Sequence, residues 1–278
     1  MTDLTLDVYT GPLRELPNGG EFSPTTSTII SGPTEAVLVD TQYMESDVAE
    51  LIRRIEASGR TLTTIYITHA HADHYFGLER LLERFPQARA VALPSVATAI
   101  KAGNEDERKH WRLFFGGAAL DNTVIPEPLD GDTILIDGQE LKAMEVGLAD
   151  IAPATILWVP SISAVVAGDA IYNGVNVFLA ASGPEEWPRW IESVDKIAAL
   201  NPRTVIAGHK RPDLPDDDLT ATIEHTRAYI RRFIEELENS SNSRDLVARM
   251  QRHYPDHANP SALVLSAITA SKHKTADK

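Results

Sequence analysis

The sequence predicts an α+β chain in which two β-sheets pack face to face, with helices on their outer sides. Three observations carry that prediction. Strand-like and helix-like runs fall into two successive halves, each a set of strands followed by helices. Hydrophobic residues make up 43% of the 278, enough to bury a large core. No stretch reads as a linker that would separate domains, and no repeat with a period of roughly 20–50 residues is detectable.

Alternation of apolar and polar residues over 4–9 predicts a strand. Residues 28–31 and 36–40 form a hairpin around the turn signal Gly32-Pro33. A helix follows over about 46–57, with Val48, Leu51, Ile52 and Ile55 on one face and Gly59 just past its end. Residues 64–68 are a buried strand. A helix over 76–85, a strand over 88–93 and a helix over 95–115 come next, the last ending in Trp111, Phe114 and Phe115.

From Asp130 the pattern changes to short strands, at 134–136, 141–146, 155–159 and 164–167. A helix over 187–200 places Trp187 and Trp190 at helical spacing, as core or rim packing. The strand 204–207 follows. Beyond His209 the chain reads as helical, over 219–238, 244–253 and 262–270. The acidic run from Asp213 to Asp218 marks a helix start, with carboxylates near the positive end of the dipole. The expected organisation is one domain over 1–215 with a helical C-terminal extension, 216–278, packed on it. That extension either caps a pocket or forms the face of a homodimer.

Charge narrows the partners. The chain carries 26 basic and 40 acidic side chains, a net charge of -14. Such a surface repels polyanions, and Arg53-Arg54 and Arg231-Arg232 read as solvated helix faces rather than a basic clamp, so no nucleic-acid partner is expected. There is no cysteine, hence no disulfide and no thiolate ligand. The segment starting at Met1 has neither the basic start nor the apolar run of a leader, and no stretch is long and apolar enough to span a membrane. A cytoplasmic location is expected.

The strongest chemical signal is His69-Ala70-His71-Ala72-Asp73-His74, directly after the apolar strand 64–68. If the chain stays extended, alternation puts His69 and His71 on one side, while Asp73 and His74 turn toward a second point. Imidazole and carboxylate donors suit zinc, iron or manganese. A solvated His-rich loop is the plainer alternative, and the buried strand leading into the cluster argues against it.

This His-x-His-x-Asp-His pattern resembles the signature of the metallo-β-lactamase superfamily. The resemblance runs over about residues 4–210 and takes in Gly168-Asp169 and Gly208-His209 at two later strand ends. It implies a four-layer αββα sandwich and a metal-dependent hydrolase of a small organic ester, lactone, thioester or amide. It also implies zinc as cofactor, one or two ions, with a metal-activated water as nucleophile. Carried over, His69 and His71 belong to site one, Asp73, His74 and His209 to site two, and Asp169 bridges them. Asp73 also orients the nucleophile in this reading. β-Lactamase action itself is not expected, for want of a leader.

One departure stands out. Where the family has a further site-one histidine, this chain reads Glu145-Val146-Gly147-Leu148-Ala149-Asp150, with Leu148 in its place. Three outcomes follow, in this order of preference: one metal held at site two, an oxygen ligand from Asp150 or Glu145, or loss of site one together with ordinary hydrolysis. A metal-poor relative that binds a small molecule or catalyses a non-hydrolytic step is the alternative function. Tyr172 and Asn173 either donate hydrogen bonds to an oxyanion or form a turn with Gly174; Tyr172 is taken as a catalytic candidate. Lys210 and Arg211 either bind a substrate carboxylate or form a solvated pair before Pro212. His110 either lines the pocket or is structural. His225, His253, His257 and His273 are given no role.

Overall fold

The structure is a computed structural model that describes residues 4–17 and 19–276. The first three residues of the segment read above as lacking a leader lie outside the described residues, as do Asn18 and 277–278.

The first half holds β1 (Thr5–Thr10), the ribbon β2 (Arg14–Glu15) and β3 (Glu21–Phe22), β4 (Thr26–Ser31) and β5 (Glu35–Val39). It continues with α1 (Glu45–Ser58), β6 (Thr61–Tyr66), α2 (Ala72–Tyr75), α3 (Leu78–Arg84), β7 (Arg89–Ala92), α4 (Pro94–Phe114) and β8 (Glu127–Pro128). The second half holds β9 (Thr133–Ile136), β10 (Gln139–Gly147), β11 (Ala154–Val159), β12 (Ala164–Val166) and β13 (Tyr172–Asn173). After α5 (Trp187–Ala199), β14 (Thr204–Ile206) and β15 (His209–Lys210), a π-helical turn at Thr220–Glu224 leads into α6 (His225–Asn239). Two helices close the chain, α7 (Ser243–His253) and α8 (Pro260–Ala276).

One sheet has the order β1-β4-β5-β6-β7-β8 and the other β14-β12-β11-β10-β9. The strand alternation seen in the sequence decides what each face touches. Val37 and Val39 point into the space between the sheets, where Tyr66, Leu141, Leu157, Val166 and Ile206 meet them. Their neighbours Ala36 and Leu38 point the other way, onto Val48, Leu51 and Ile55 of α1 and Val96 of α4. On the far side of the second sheet, Ile156, Val165 and Val205 pack against Trp187, Trp190 and Val194 of α5 and against Phe233 of α6. Three apolar layers between four structural layers give the αββα sandwich.

Polar ties cross between the sheets beside this core. Tyr66 Oη shares a hydrogen bond of 2.7 Å with Thr155 Oγ1, and Thr155 Oγ1 donates to the Thr68 carbonyl at 2.6 Å. The C-terminal helices continue the outer layer: Leu246, Met250 and Leu263 share the cluster of α5 and α6. Ser261 at the start of α8 accepts a hydrogen bond from the Glu21 amide at 2.7 Å, which brings the last helix to β3. Among the described residues, no helix is long and apolar enough to cross a membrane.

The helix expected over 76–85 is α3, which starts at Leu78, and the separate short helix α2 precedes it. Gly77 gives its amide to Gln42 O and Thr41 Oγ1, at 2.9 and 3.0 Å, rather than to its own helix, so the chain breaks there. The short pairs β2–β3 and β13–β15 were absent from the sequence reading, because two residues carry no periodicity.

Trp190 tests the outer layer. It is fully buried, and its indole N–H donates to the Ala170 carbonyl at 3.1 Å, next to Asp169. Trp190→Ala should cost about 3–5 kcal/mol in urea denaturation, and Trp190→Phe, which keeps most of the packing, about 1–2 kcal/mol.

Candidate metal centre

The site forms where three strand ends of the two sheets meet. Beyond β6 the chain runs through Ile67 and Thr68 to His69, with α2 directly after. Asp40, at the end of β5, anchors this stretch: its Oδ1 accepts the Thr68 amide at 2.9 Å and its Oδ2 accepts the Thr68 hydroxyl at 2.8 Å. The same Oδ2 lies 2.8 Å from His74 Nδ1, so Asp40 fixes the orientation of that ring. His209 is fixed likewise, its Nδ1 lying 3.1 Å from the Pro24 carbonyl oxygen. His69 Nδ1 lies 3.0 Å from Thr68 Oγ1. Each outer nitrogen is occupied, which turns Nε2 of His69, His74 and His209 inward.

The Gly-Asp and Gly-His motifs are explained by their mutual approach. Gly168 has φ of +50°, a left-handed conformation that disfavours a side chain. Gly208 donates its amide to the Gly168 carbonyl at 2.8 Å. A Cβ on Gly208 would fall inside contact distance of the Gly168 backbone and of Asp169 Oδ1. The two glycines let two strand ends touch, and that contact places Asp169 against His209.

The donors gather in two groups. His69, His71, Asp150 and Asp169 each offer one atom within 4.8 Å of the others, and so do Asp73, His74 and His209. In the second group His74 Nε2 and His209 Nε2 lie 3.3 and 3.4 Å from Asp73 Oδ2. Asp169 faces both groups: Oδ1 is 3.1 Å from His74 Nε2, while Oδ2 is 3.1 Å from His209 Nε2 and 3.9 Å from His69 Nε2. Ligands about 2.0–2.1 Å from a tetrahedral ion stand roughly 3.3–3.4 Å apart, close to these spacings. His69 Nε2, His74 Nε2 and Asp169 Oδ1 are buried and have no hydrogen-bond partner in the protein. Buried polar atoms without partners are costly, and cations in the two groups would satisfy all three. The residues present therefore fit metal ions.

Asp150 answers the departure noted in the sequence. At the end of β10, Gly147 turns the chain with φ of +116°. Asp150 Oδ1 then accepts the Ile151 amide at 2.8 Å, leaving Oδ2 for the site. Oδ2 lies 2.5 Å from His71 Nδ1 and 4.0 Å from His69 Nε2. Leu148 packs into the apolar cluster of α5. Glu145, the other oxygen donor considered, accepts from Ser95 Oγ at an exposed position and is no part of the site. The preference for a single ion at site two rested on a donor missing from site one, and the structure brings a carboxylate there.

Without ions, the carboxylates and imidazoles set each other's charge. Burial opposes protonation of His71, but Asp150, helped by Asp73 and Asp169, overrides it and raises its pKa to about 9. Burial likewise opposes charge on His74 and His209, which Asp73 and Asp169 push upward all the same. Asp73 and Asp169 are held well below the usual carboxylate range, against burial, by the imidazoles of His74 and His209. His69 moves down, first through burial and then through His74.

The other candidates are placed as follows. Tyr172 is buried and its hydroxyl donates to Asp169 Oδ2 at 2.8 Å, so it holds the carboxylate that faces both groups. Asn173 Nδ2 donates to the Pro215 carbonyl, and Tyr172 and Asn173 pair in parallel with His209 and Lys210. Lys210 fits neither reading given above. It is buried in an ion pair of 2.6 Å with Asp216, inaccessible to a substrate carboxylate. Arg211 pairs with Asp213 at 2.6 Å. His110 is exposed at the cleft rim, stacked on Phe114. Trp187 and Trp190 are core. His225 and His257 face each other in the C-terminal helices, with Nε2 atoms 3.0 Å apart, and His253 pairs with Glu236. Asp40 was missed by sequence reasoning; a lone Asp closing a strand carries no signal without its partners.

The sequence profile described as the metallo-beta-lactamase superfamily matches residues 20–209, which include every donor named here. The chain belongs to the metallo-β-lactamase superfamily. A metallo-beta-lactamase type 2 of Bacillus cereus is 34% identical over 88 residues, 31% of this chain and 34% of that protein. A hydroxyacylglutathione hydrolase of Synechococcus sp. is 32% identical over 81 residues, 24% of this chain and 31% of that protein. The matches thus span about a third of the length of these curated relatives. Among solved structures, a metallo-beta-lactamase family protein of Thermus thermophilus superposes with a TM-score of 0.65 at 20% identity, covering 98% of this chain and 94% of that one. The metallo-beta-lactamase FIM-1 of Pseudomonas aeruginosa, in a mono-zinc form, gives 0.59 at 16% identity, covering 82% and 92%. These superpositions establish a shared fold.

Two substitutions separate the roles of residues 148 and 150. Wild type should hold about two equivalents of metal tightly and Asp150→Ala about one, read by elemental analysis after dialysis. Leu148→His should leave metal content unchanged and cost about 1–3 kcal/mol of stability, because it puts an imidazole among apolar groups.

Proposed function

We propose that this chain is a metallohydrolase that cleaves a small organic ester, lactone, thioester or amide with metal-activated water. The observation that carries this reading is the pair of donor groups bridged by Asp169, with inward nitrogens and oxygens left unpartnered. His69, His71, Asp150 and Asp169 would hold one ion, and Asp73, His74 and His209, with Asp169 between, the other. All are nitrogen or oxygen donors, and those around Asp73, His74 and His209 stand at roughly tetrahedral spacing, which favours zinc over iron or manganese. Ions held there supply Lewis acidity: they lower the pKa of water and polarise a scissile carbonyl.

The protein's own residues set the geometry for this chemistry. Asp40 and the Pro24 carbonyl keep His74 and His209 with Nε2 unprotonated and inward once ions displace their protons. Thr25 Oγ1 donates to Asp73 Oδ2 at 2.8 Å and Tyr172 to Asp169 Oδ2, so neither carboxylate swings freely. Asp73 and Asp169 border the cleft into which the substrate must come, where the Asp73 carboxylate would orient the attacking water. The non-hydrolytic alternative drew its support from a missing site-one donor, and Asp150 offers one.

Activity on phenyl acetate and on a simple γ-lactone tests the reading. Protein stripped by a chelator should lose hydrolysis and recover it on addition of about two equivalents of zinc. Asp169→Asn should lower kcat/KM by about a thousandfold with the fold retained, since the bridging charge is lost while the shape is kept. Full activity in the stripped protein would refute the proposal.

A further inference from the structure

Beyond the metal ligands, the cleft encloses about 820 Å³ of free space, counted out to the solvent at its mouth. Its walls are aromatic: Phe22 from β3, Trp111 and Phe114 from α4, and Phe178. Phe22 meets Trp111 and Phe114 edge-on, with centroids 5.3 and 6.2 Å apart. Leu265 of α8 closes the apolar side. Glu107 stands one helical turn before Trp111 and also lines the cleft. Its Oε2 is buried and has no hydrogen-bond partner.

Apart from its histidines, the ionisable acid and base side chains of this cleft have one sign. Five carboxylates line it, Glu21, Asp73, Glu107, Asp150 and Asp169, and no Lys or Arg does so among the described residues. Two divalent ions carry four positive charges, so the formal balance is not positive even with the centre filled. Lys210, the nearest cation by sequence, is turned away in its pair with Asp216. A substrate carboxylate or sulfonate therefore finds no side-chain counter-ion. An ammonium group finds the Glu107 carboxylate, whose buried Oε2 has no hydrogen-bond partner, beside the aromatic side chains that line the cleft, surroundings that stabilise an organic cation.

We propose that Glu107 and the aromatic wall formed by Trp111 and Phe114 select substrates bearing an organic cation and reject anionic ones. This specificity rests on the hydrolase reading above. Burial, which raises the pKa of Glu107 in the free protein, is the cost that an arriving cation offsets.

The test compares three matched esters with the zinc-loaded protein: phenyl acetate, 3-(trimethylammonio)phenyl acetate and 3-sulfophenyl acetate. The cationic ester should have the highest kcat/KM and the sulfonate the lowest, with at least about tenfold between them. Glu107→Gln should shrink that ratio by about tenfold, and Glu107→Lys should invert it. Calorimetry with phenyltrimethylammonium and benzenesulfonate gives a readout independent of turnover. The cation should bind wild type about tenfold more tightly than Glu107→Gln, and the sulfonate should bind neither. Cation binding of this kind without hydrolysis of these esters or of a matched lactone, thioester or amide would sink the hydrolase reading and leave the selectivity standing. A wild-type preference for the sulfonates would overturn the proposal even if the variants fail to fold. So would cation affinity that is unchanged in a folded Glu107→Gln.

Discussion

The constraint on which the rest of this structure depends is the burial of four carboxylates, Asp40, Asp73, Asp150 and Asp169, at the meeting point of two sheets. Carboxylates taken from water need positive charge close by. Asp40 is satisfied by Thr68 and His74. The other three are faced mainly by imidazoles, which must take up protons to help them in the metal-free chain. Divalent ions would serve the same need with far more charge. The close strand-end approach through Gly168 and Gly208, the inward-turned Nε2 atoms and the Tyr172–Asp169 hydrogen bond all follow from holding these groups within a few ångströms of one another.

How much of this was legible in the sequence depends on how local each signal is. The cluster from His69 to His74 is contiguous and follows an apolar strand, so its chemistry is readable without a structure. Asp169 and His209 were readable because each follows a glycine at a strand end, in the order the family resemblance implies. Asp150 was visible only as one of several substitutes for a histidine. What makes it a donor is the turn at Gly147 and the Ile151 amide bound to its other oxygen, neither of which has a sequence signature. Lys210 was misread because its counter-ion, Asp216, sits in an acidic run that looks solvated. The break at Gly77 was not foreseen, since it depends on acceptors at Thr41 and Gln42, far away in sequence.

The same architecture joins the metal centre to the substrate cleft. Helix α4 belongs to the outer layer of the first sheet, yet its later turns bring Glu107, Trp111 and Phe114 to the cleft. Helix α8 belongs to the outer layer of the second sheet and reaches β3 through Ser261, so residues near the C-terminus border the same cleft. The candidate metal ligands come from strand ends inside the sandwich, and the groups proposed to select the substrate come from its outer helices. Substrate choice can therefore change without disturbing the carboxylates and imidazoles at the centre.

The central claim is that Asp150 completes a second metal position alongside the one formed by Asp73, His74 and His209. The most direct measurement is anomalous diffraction at the zinc edge from crystals of the zinc-loaded protein. Two anomalous peaks are predicted, one contacted by His69, His71 and Asp150 and the other by Asp73, His74 and His209, with Asp169 between them. A single peak at the second position, with Asp150 still against His71 and no metal beside it, would contradict the account.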